Sequence, residues 1–349
     1  VLNDVLTEFN PLGALEAGGR NKYRNNYLNA NVNAEFRLID GLKLRGVLGA
    51  DVINDMRSTR NLGVSYYLNE EATEPRPVKD TDYRTSNWNH TAYLINSQLL
   101  LDYNKTFGKH NVSGLFGVTN ESFTSSSNEI EKKGVDPDLG IGTDITNSTV
   151  GNITGKTFVD ESNRTSLTSL LGRVGYSYAD RYYTEFSFRY DASSKFHKDY
   201  RWGFFPSVSA AWVISEEQFM KRFSWLDNLK LRVGYGLSGN QNGIDSYTAL
   251  RLVKPNGVVP IGSAPTVAEL SNTNPDLKCE VKHTLNAGID VALLGNRLLL
   301  ALNYYNSKTT DMLYPYDVSV PPYTYPTLLA NMGSMRNKGT ELSVGITPL

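Results

Sequence analysis

The chain has 349 residues, 20 % charged and 40 % hydrophobic, with a formal net charge of -1. That balance offers no basic field for nucleic acid, and a single cysteine, Cys279, excludes an internal disulfide framework or a multi-cysteine metal site. The 21 tyrosines, against 13 Phe and 4 Trp, suit a water–lipid boundary, though a Tyr-rich soluble β-protein would carry them too.

Residues 1–26 read as a lead-in segment or loop, without a starting Met, a basic n-region or an apolar export core. No apolar run reaches the roughly 18 residues of a membrane helix; the best, Leu298 to Leu302, is strand-sized. The period is two. Leu28, Ala30, Val32, Ala34, Phe36 and Leu38 alternate with Asn29, Asn31, Asn33, Glu35 and Arg37. After the hairpin signal Asp40-Gly41 the pattern resumes in Leu42, Leu44, Leu48, Ala50 and Val52. Tyr93 to Tyr103 and Val112 to Val118 repeat it around a turn at Phe107-Gly108-Lys109-His110. Leu170, Val174, Tyr176 and Tyr178 precede Asp180-Arg181, and Tyr182, Phe186, Phe188 and Tyr190 follow. Further strands are read at Val208 to Trp212, Leu229 to Tyr235, Leu285 to Val291, Leu298 to Tyr304 and Leu342 to Ile346.

This makes about eleven strands of roughly 10 residues, the length a tilted strand needs to cross a bilayer. The connections alternate between two kinds. Asp40-Gly41, Asn104 to His110, Ala179 to Arg181 and Leu294 to Asn296 are short, while Ser215 to Asp227 is longer and has room for one helical turn. On the other side lie long polar stretches, about 53–91, 124–166, 192–203, 238–280 and 308–337. Short periplasmic turns opposite long external loops are the pattern of an outer-membrane barrel. Alternation alone does not separate a barrel in lipid from a soluble sandwich; strand length, loop asymmetry and tyrosine at strand ends favour the barrel. The fold expected is therefore an all-β, transmembrane antiparallel barrel, with residues 27–349 as a partial barrel domain. An odd strand number, no plug-like segment before Tyr27 and no terminal aromatic after Thr347 give the expectation of a fragment.

A set of motifs supports a sharper reading. Asp180 to Phe196, with its Arg189-Tyr-Asp-Ala-Ser-Ser-Lys-Phe196 core, leads into Arg201 to Trp212 and Ile214 to Met220. Leu229 to Tyr247, Asn274-Pro-Asp-Leu-Lys278, Tyr304 to Leu313 and Asn337 to Leu342 complete the set. In this order the stretches resemble the SusC/RagA-like TonB-linked outer-membrane proteins of Bacteroidota. They cover about half the chain, and the part before Asp180 matches mainly by pattern. One departure is Cys279, where the family pattern carries Trp before the acidic Glu280. The resemblance implies a barrel of about 22 strands with an N-terminal plug. It also implies a TonB complex as partner through that N-terminal part, a SusD-like surface lipoprotein, and uptake of oligosaccharides or peptides without enzymatic chemistry or cofactor.

The candidate chemistry is sparse. His90, His110, His197 and His283 lack metal-ligand spacing. Glu70-Glu71 and Glu216-Glu217 would point to opposite faces of an extended chain, so neither forms a catalytic pair. Asp136, Asp138 and Asp144 could be calcium-type oxygen ligands, but without EF-hand spacing a plain turn is the better reading. Gly234, Gly236 and Gly239 lack the Lys-Ser/Thr of a phosphate loop and are expected to ease strand curvature or a bulge. The substrate-binding candidates are loop aromatics that could stack on sugar or peptide: Tyr66, Tyr67, Tyr83, Trp88, Tyr200, Tyr314, Tyr316, Tyr323 and Tyr325. Trp202 is read as structural. A passive porin or adhesin barrel is the first alternative. A soluble glycan-binding sandwich or glycoside hydrolase is the second; it would pack Leu170, Val174 and Phe186 in a core.

Overall fold

The computed structural model describes residues 12, 15–16, 18–62, 70–73, 84–133, 155–256 and 266–347. The strands in chain order are β1 (Gly19–Ile39), β2 (Leu42–Asn61), β3 (Arg84–Phe107), β4 (His110–Lys133), β5 (Gly155–Tyr178), β6 (Tyr182–Ser193), β7 (Trp202–Val213) and β8 (Leu226–Asn240). They continue with β9 (Val253–Asn256), β10 (Thr266–Glu269), β11 (Glu280–Leu293), β12 (Leu298–Thr310), β13 (Leu313–Asp317), β14 (Thr327–Asn331) and β15 (Ser334–Ile346). Eleven form one sheet in the order β1-β2-β3-β4-β5-β6-β7-β8-β11-β12-β15, while β9–β10 and β13–β14 are separate two-stranded ribbons. Each strand read from the alternation is a member of the large sheet. The ribbons were not legible, because they lie in the loops beyond the large sheet, where no lipid selects one face of a strand.

For the same reason the strands outrun the alternation. β1 to β5 run 20–24 residues rather than about ten. β4 continues through Thr124-Ser-Ser-Ser-Asn128, a run with backbone pairing but no apolar period. The short turns are tight. Gly41 takes φ +81° in the β1–β2 hairpin, and a Cβ there would come within 2.8 Å of the Asn104 carbonyl oxygen. Ala179 and Asp180 both hold positive φ, 52° and 55°, as a primed two-residue turn between twisted strands requires. The longer connection holds one 3₁₀ turn, Ile214–Glu216.

The chain divides into two compact units. The smaller comprises residues 1–30, 49–95 and 123–164; the larger comprises 31–48, 96–122 and 165–349. In the smaller unit polar side chains bridge neighbouring strands. Asn54 donates to Thr91 at 3.1 Å, Asn89 to Asn128 at 3.2 Å, and both Tyr27 and Asn29 donate to Asp51.

The larger unit has almost no conventional core. Val174, Phe186, Val208 and Leu302 are 57, 47, 55 and 47 % exposed, and Leu170 is half-buried. A soluble sandwich would have buried them at about 1.5–3 kcal/mol each; here the sheet presents them to its surroundings. The buried apolar cluster of this unit lies in the loops, where Phe196, Ile244, Ala249 and Leu277 pack with Cys279, Leu313 and Leu329. Pairing runs uninterrupted through Gly234, Gly236 and Gly239, so no bulge forms there, and the slip in β8–β11 register falls at Ala292/Leu293 instead. Gly203 and Gly239 serve a different purpose: a Cβ on either would run into the Phe205 ring.

Candidate functional site

Strand register sorts the side chains of the larger unit into rows. Tyr178, Tyr182, Trp212, Leu231, Ile289, Leu302 and Leu342 are successive cross-strand partners, a continuous apolar row. Four residues further along β6, Val174, Phe186, Val208, Tyr235 and Leu285 form another. Aromatic stacks bracket this face. Tyr182 lies on Trp212 at 6.3 Å and 14°, and Tyr190 lies on Trp202 at 4.6 Å and 20°. The stacks are about 27 Å apart along β6 at about 3.4 Å per residue. Tilt reduces this to roughly 20 Å of depth, close to the apolar band of about 25 Å in outer-membrane barrels. Trp202 is thus packed in an aromatic band, as its reading in the sequence expects.

Alternate residues build the opposite, polar face, which is concave around an open space of about 890 Å³. Its rows include Glu185, Ser209, Gly234, Asn286, Tyr305 and Gly339. At the centre Arg232 donates twice to the Asp290 carboxylate, at 2.7 and 2.8 Å, and once to the Asn303 side-chain oxygen at 2.7 Å. A planar guanidinium matches a carboxylate in this two-point manner and is held flat against the wall. Such a face offers hydrogen bonds to water or solute and carries no assembled nucleophile–base pair among the described residues.

At the end of the sheet opposite the short turns, the family-type motifs fold into a platform. Lys195 Nζ donates to the carbonyls of Ile244 and Gln241 at 2.9 and 3.4 Å. Glu280 accepts from Asn240 Nδ2 at 2.7 Å and from the Leu313 backbone N–H at 2.8 Å, so its carboxylate joins β8 to β13. Asn272 accepts from the N–H groups of Thr324 and Tyr325 and donates to the carbonyls of Tyr325 and Thr327. Asn274 donates to Leu329 O, and Asn331 to Lys278 O and Asp311 O. These asparagines were not singled out in the sequence. Only Asn274 fell within a motif, Asn274 to Lys278; together with Asn272 and Asn331 it does the hydrogen bonding that a loop backbone cannot do for itself. Cys279 sits in the platform with its thiol pushed up to about 11 by burial, which keeps it protonated and inert.

The candidate aromatics are distributed as follows. Tyr66, Tyr67 and Tyr83 lie outside the described residues, as do Asp136, Asp138 and Asp144. Trp88 stacks on His90 at 5.6 Å, with the Arg57 guanidinium 5.8 Å from its ring centroid. The platform gathers Tyr200, Tyr314, Tyr316, Tyr323 and Tyr325. Asp276 beside the Tyr200 phenol raises it above the ordinary tyrosine value by its charge and by accepting its hydrogen bond. Tyr325 spends its hydroxyl on the Glu269 carbonyl. Tyr314 and Tyr323 remain exposed. Of the histidines, His110 and His283 contact the hydroxyls of Tyr176 and Tyr235, and His197 pairs with Asp199. No group able to hold a metal ion exists among the described residues. Glu216 pairs with Lys221, and Glu217 is bound by Arg181, Tyr182 and Trp212.

A family model described as "TonB dependent receptor-like, beta-barrel" matches residues 3–347. The chain belongs to the TonB-dependent receptor β-barrel family. The TonB-dependent receptor SusC of Bacteroides thetaiotaomicron is 28 % identical over 97 % of this chain and 32 % of its own length. A TonB-dependent receptor of Formosa agariphila is 32 % identical over 90 % of the chain and 30 % of its own length. The solved structure of the RagAB peptide importer in its "closed-closed" state superposes with TM-score 0.79 over 93 % of this chain and 34 % of that one, at 24 % identity, which establishes the shared fold. The chain thus spans about a third of the length of these relatives. TonB-dependent receptors are outer-membrane proteins of Gram-negative bacteria and are not enzymes, so the apolar rows of this barrel wall face lipid.

Proposed function

We propose that this chain supplies the wall and external platform of a TonB-dependent importer of oligosaccharides or peptides. The observation that carries the reading is the two-faced sheet, with aromatic-bracketed apolar rows on one face and a concave, ion-paired polar wall on the other. Solute would cross on the polar side, past Arg232, Asn286 and Asn303, and energy coupling would come from TonB acting on the N-terminal part of the full-length protein. A SusD-like surface lipoprotein would close over the platform. Exposed Tyr200, Tyr314 and Tyr323, with half-buried Tyr316, are the binding residues we assign there, since aromatic faces stack on sugar C–H groups and on peptide side chains. The remaining candidates, Tyr66, Tyr67, Tyr83, Trp88 and Tyr325, carry less support; two of them already have intramolecular partners.

The test is uptake of fluorescent oligosaccharides and oligopeptides by cells expressing the full-length protein, with and without TonB. Accumulation that requires TonB, for one of the two substrate classes, supports the reading. Accumulation that persists unchanged without TonB would establish the passive-porin alternative instead.

A further inference from the structure

The lipid-facing surface has a groove near the short-turn rim, and the rim beside it has a built edge. Between the apolar row through Trp212, Leu231, Ile289 and Leu302 and the row through Phe186 and Val208 lies the row Thr184, Ala210, Val233, Ala287 and Tyr304. The two alanines on either side of Val233, with the large residues of the neighbouring row, leave an apolar trough of about 680 Å³, bounded at one end by Tyr304. Its lining is almost wholly apolar and it is open along the sheet face, which suits an acyl chain lying at a lipid boundary.

The rim carries a series of tight turns rather than a loose loop. Glu217 N–H bonds Ile214 O, Met220 N–H bonds Glu217 O, Phe223 N–H bonds Met220 O and Leu226 N–H bonds Phe223 O, at 3.0–3.1 Å. Glu217 fastens this segment against Tyr182 and Trp212, at the foot of the trough. Phe219 and Trp225 stand 56 and 51 % exposed, and Arg222 lies over the Phe223 ring at 4.8 Å. The next turn is tied on by Leu294 N–H to Trp225 O at 2.9 Å and brings exposed Leu294 and Arg297. Neither Arg222 nor Arg297 has a carboxylate partner among the described residues.

We infer that this edge and trough together hold one phospholipid of the periplasmic leaflet. An acyl chain lies along Ala210 and Ala287, Phe219 and Trp225 sit at headgroup depth, and Arg222 and Arg297 face an anionic headgroup. Short turns are periplasmic in this architecture, which fixes the leaflet. The trough is continuous with the lipid-facing rows, and exposed aromatics beside uncompensated guanidinium groups are the composition of an anionic membrane interface. A second copy of the chain would fill the trough equally well, but it would have to bury Arg222 and Arg297 without a counter-charge, which is costly.

The experiment uses the full-length protein in mild detergent, delipidated and titrated with phosphatidylglycerol or phosphatidylcholine, with bound lipid counted by native mass spectrometry. The wild type is expected to retain one phosphatidylglycerol that resists delipidation. Ala210→Leu with Ala287→Leu should weaken it about tenfold, the weight of roughly two displaced methylenes. Arg222→Gln with Arg297→Gln should abolish the preference for phosphatidylglycerol while still admitting phosphatidylcholine. No resistant lipid in the wild type, or equal retention by a trough-filled variant that assembles normally, overturns the proposal. So does a dimer that the trough substitutions break while lipid retention stays constant. Should the trough variant fail to assemble, the arginine pair decides, and an unchanged headgroup preference overturns the proposal.

Discussion

Tyr182 and Trp212 stack across β6 and β7, and both donate to one oxygen, Glu217 Oε1, at 2.5 and 3.2 Å. One carboxylate thereby receives the polar ends of two girdle aromatics whose rings face lipid, while Arg181 approaches its other oxygen at 3.3 Å. The pairing explains why a segment that would otherwise dangle from the rim is held against it. Neutralising the carboxylate removes the charge that all three donors share and leaves one acceptor oxygen in place of two. Glu217→Gln is expected to lower the heat-dissociation temperature of the assembled barrel on gels. Trp212→Ala should cost about 0.5–1.5 kcal/mol from the aromatic pair, beyond its lost area. In the double variant the two effects should fall short of their sum, because they share one network.

The same carboxylate gives a pH dependence with a definite sign. Tyr182's hydrogen bond holds Glu217 below its ordinary carboxylate value, with Trp212 and Arg181 adding to the effect and desolvation opposing it. A folded value below the unfolded one means that the stabilisation is complete above about pH 4.3 and disappears as pH falls through the folded value. The difference in urea midpoint between wild type and Glu217→Gln should be flat from about pH 6 to 8 and shrink towards about pH 3. A difference that grows on acidification would contradict the assignment.

Neighbouring positions on β7 test the two-faced wall. Val208 lies in the middle apolar row, and Ser209 lines the polar concavity. Val208→Arg should destabilise the assembled barrel by about 2–4 kcal/mol, the penalty for arginine at the bilayer midplane. Ser209→Arg, one residue along, should be nearly neutral to folding, since its side chain enters a wet space. Urea titration in lipid bilayers distinguishes them, and equal costs would mean that the faces are misassigned.

The contrast between these two residues also shows what the sequence could reveal. Wherever lipid wets one side of a strand, a period of two is imposed, and all eleven sheet strands were readable from it. Beyond the lipid that selection vanishes. The extensions of β2 to β5, the ribbons β9–β10 and β13–β14, and the clamps of Asn272 and Glu280 left only composition or a motif without a mechanism. The bulge offered for Gly234, Gly236 and Gly239 does not form, and at Gly239 the space left by the missing side chain is filled by Phe205, about thirty residues earlier in the chain, a partner that no local pattern records.

Asn272 tests whether the platform is built by side chains. Its amide makes four hydrogen bonds with the backbone of Thr324, Tyr325 and Thr327. Asn272→Ala removes them together, at about 0.5–1.5 kcal/mol each. Deuterium exchange should rise about tenfold or more around Tyr325 to Leu329 while β6, β7 and β8 keep their protection. Uniform loss of protection would show that the platform and wall do not open separately.

Tyr314 and Tyr323 differ from Tyr325 in a way that binding can read. The first two expose their rings, at 63 and 40 %, whereas Tyr325 uses its hydroxyl to hold the Glu269 carbonyl. Alanine at Tyr314 or Tyr323 should reduce substrate affinity about three- to tenfold by loss of one stacking surface, roughly 0.5–1.5 kcal/mol, with barrel assembly unchanged. Tyr325→Phe keeps the ring and removes only the internal hydrogen bond, so it should raise exchange near Glu269 without changing affinity in proportion. Calorimetric titration of the full-length protein with the substrate that it imports checks both. Affinity that follows Tyr325→Phe and ignores Tyr314→Ala and Tyr323→Ala would move the binding surface away from the exposed rings.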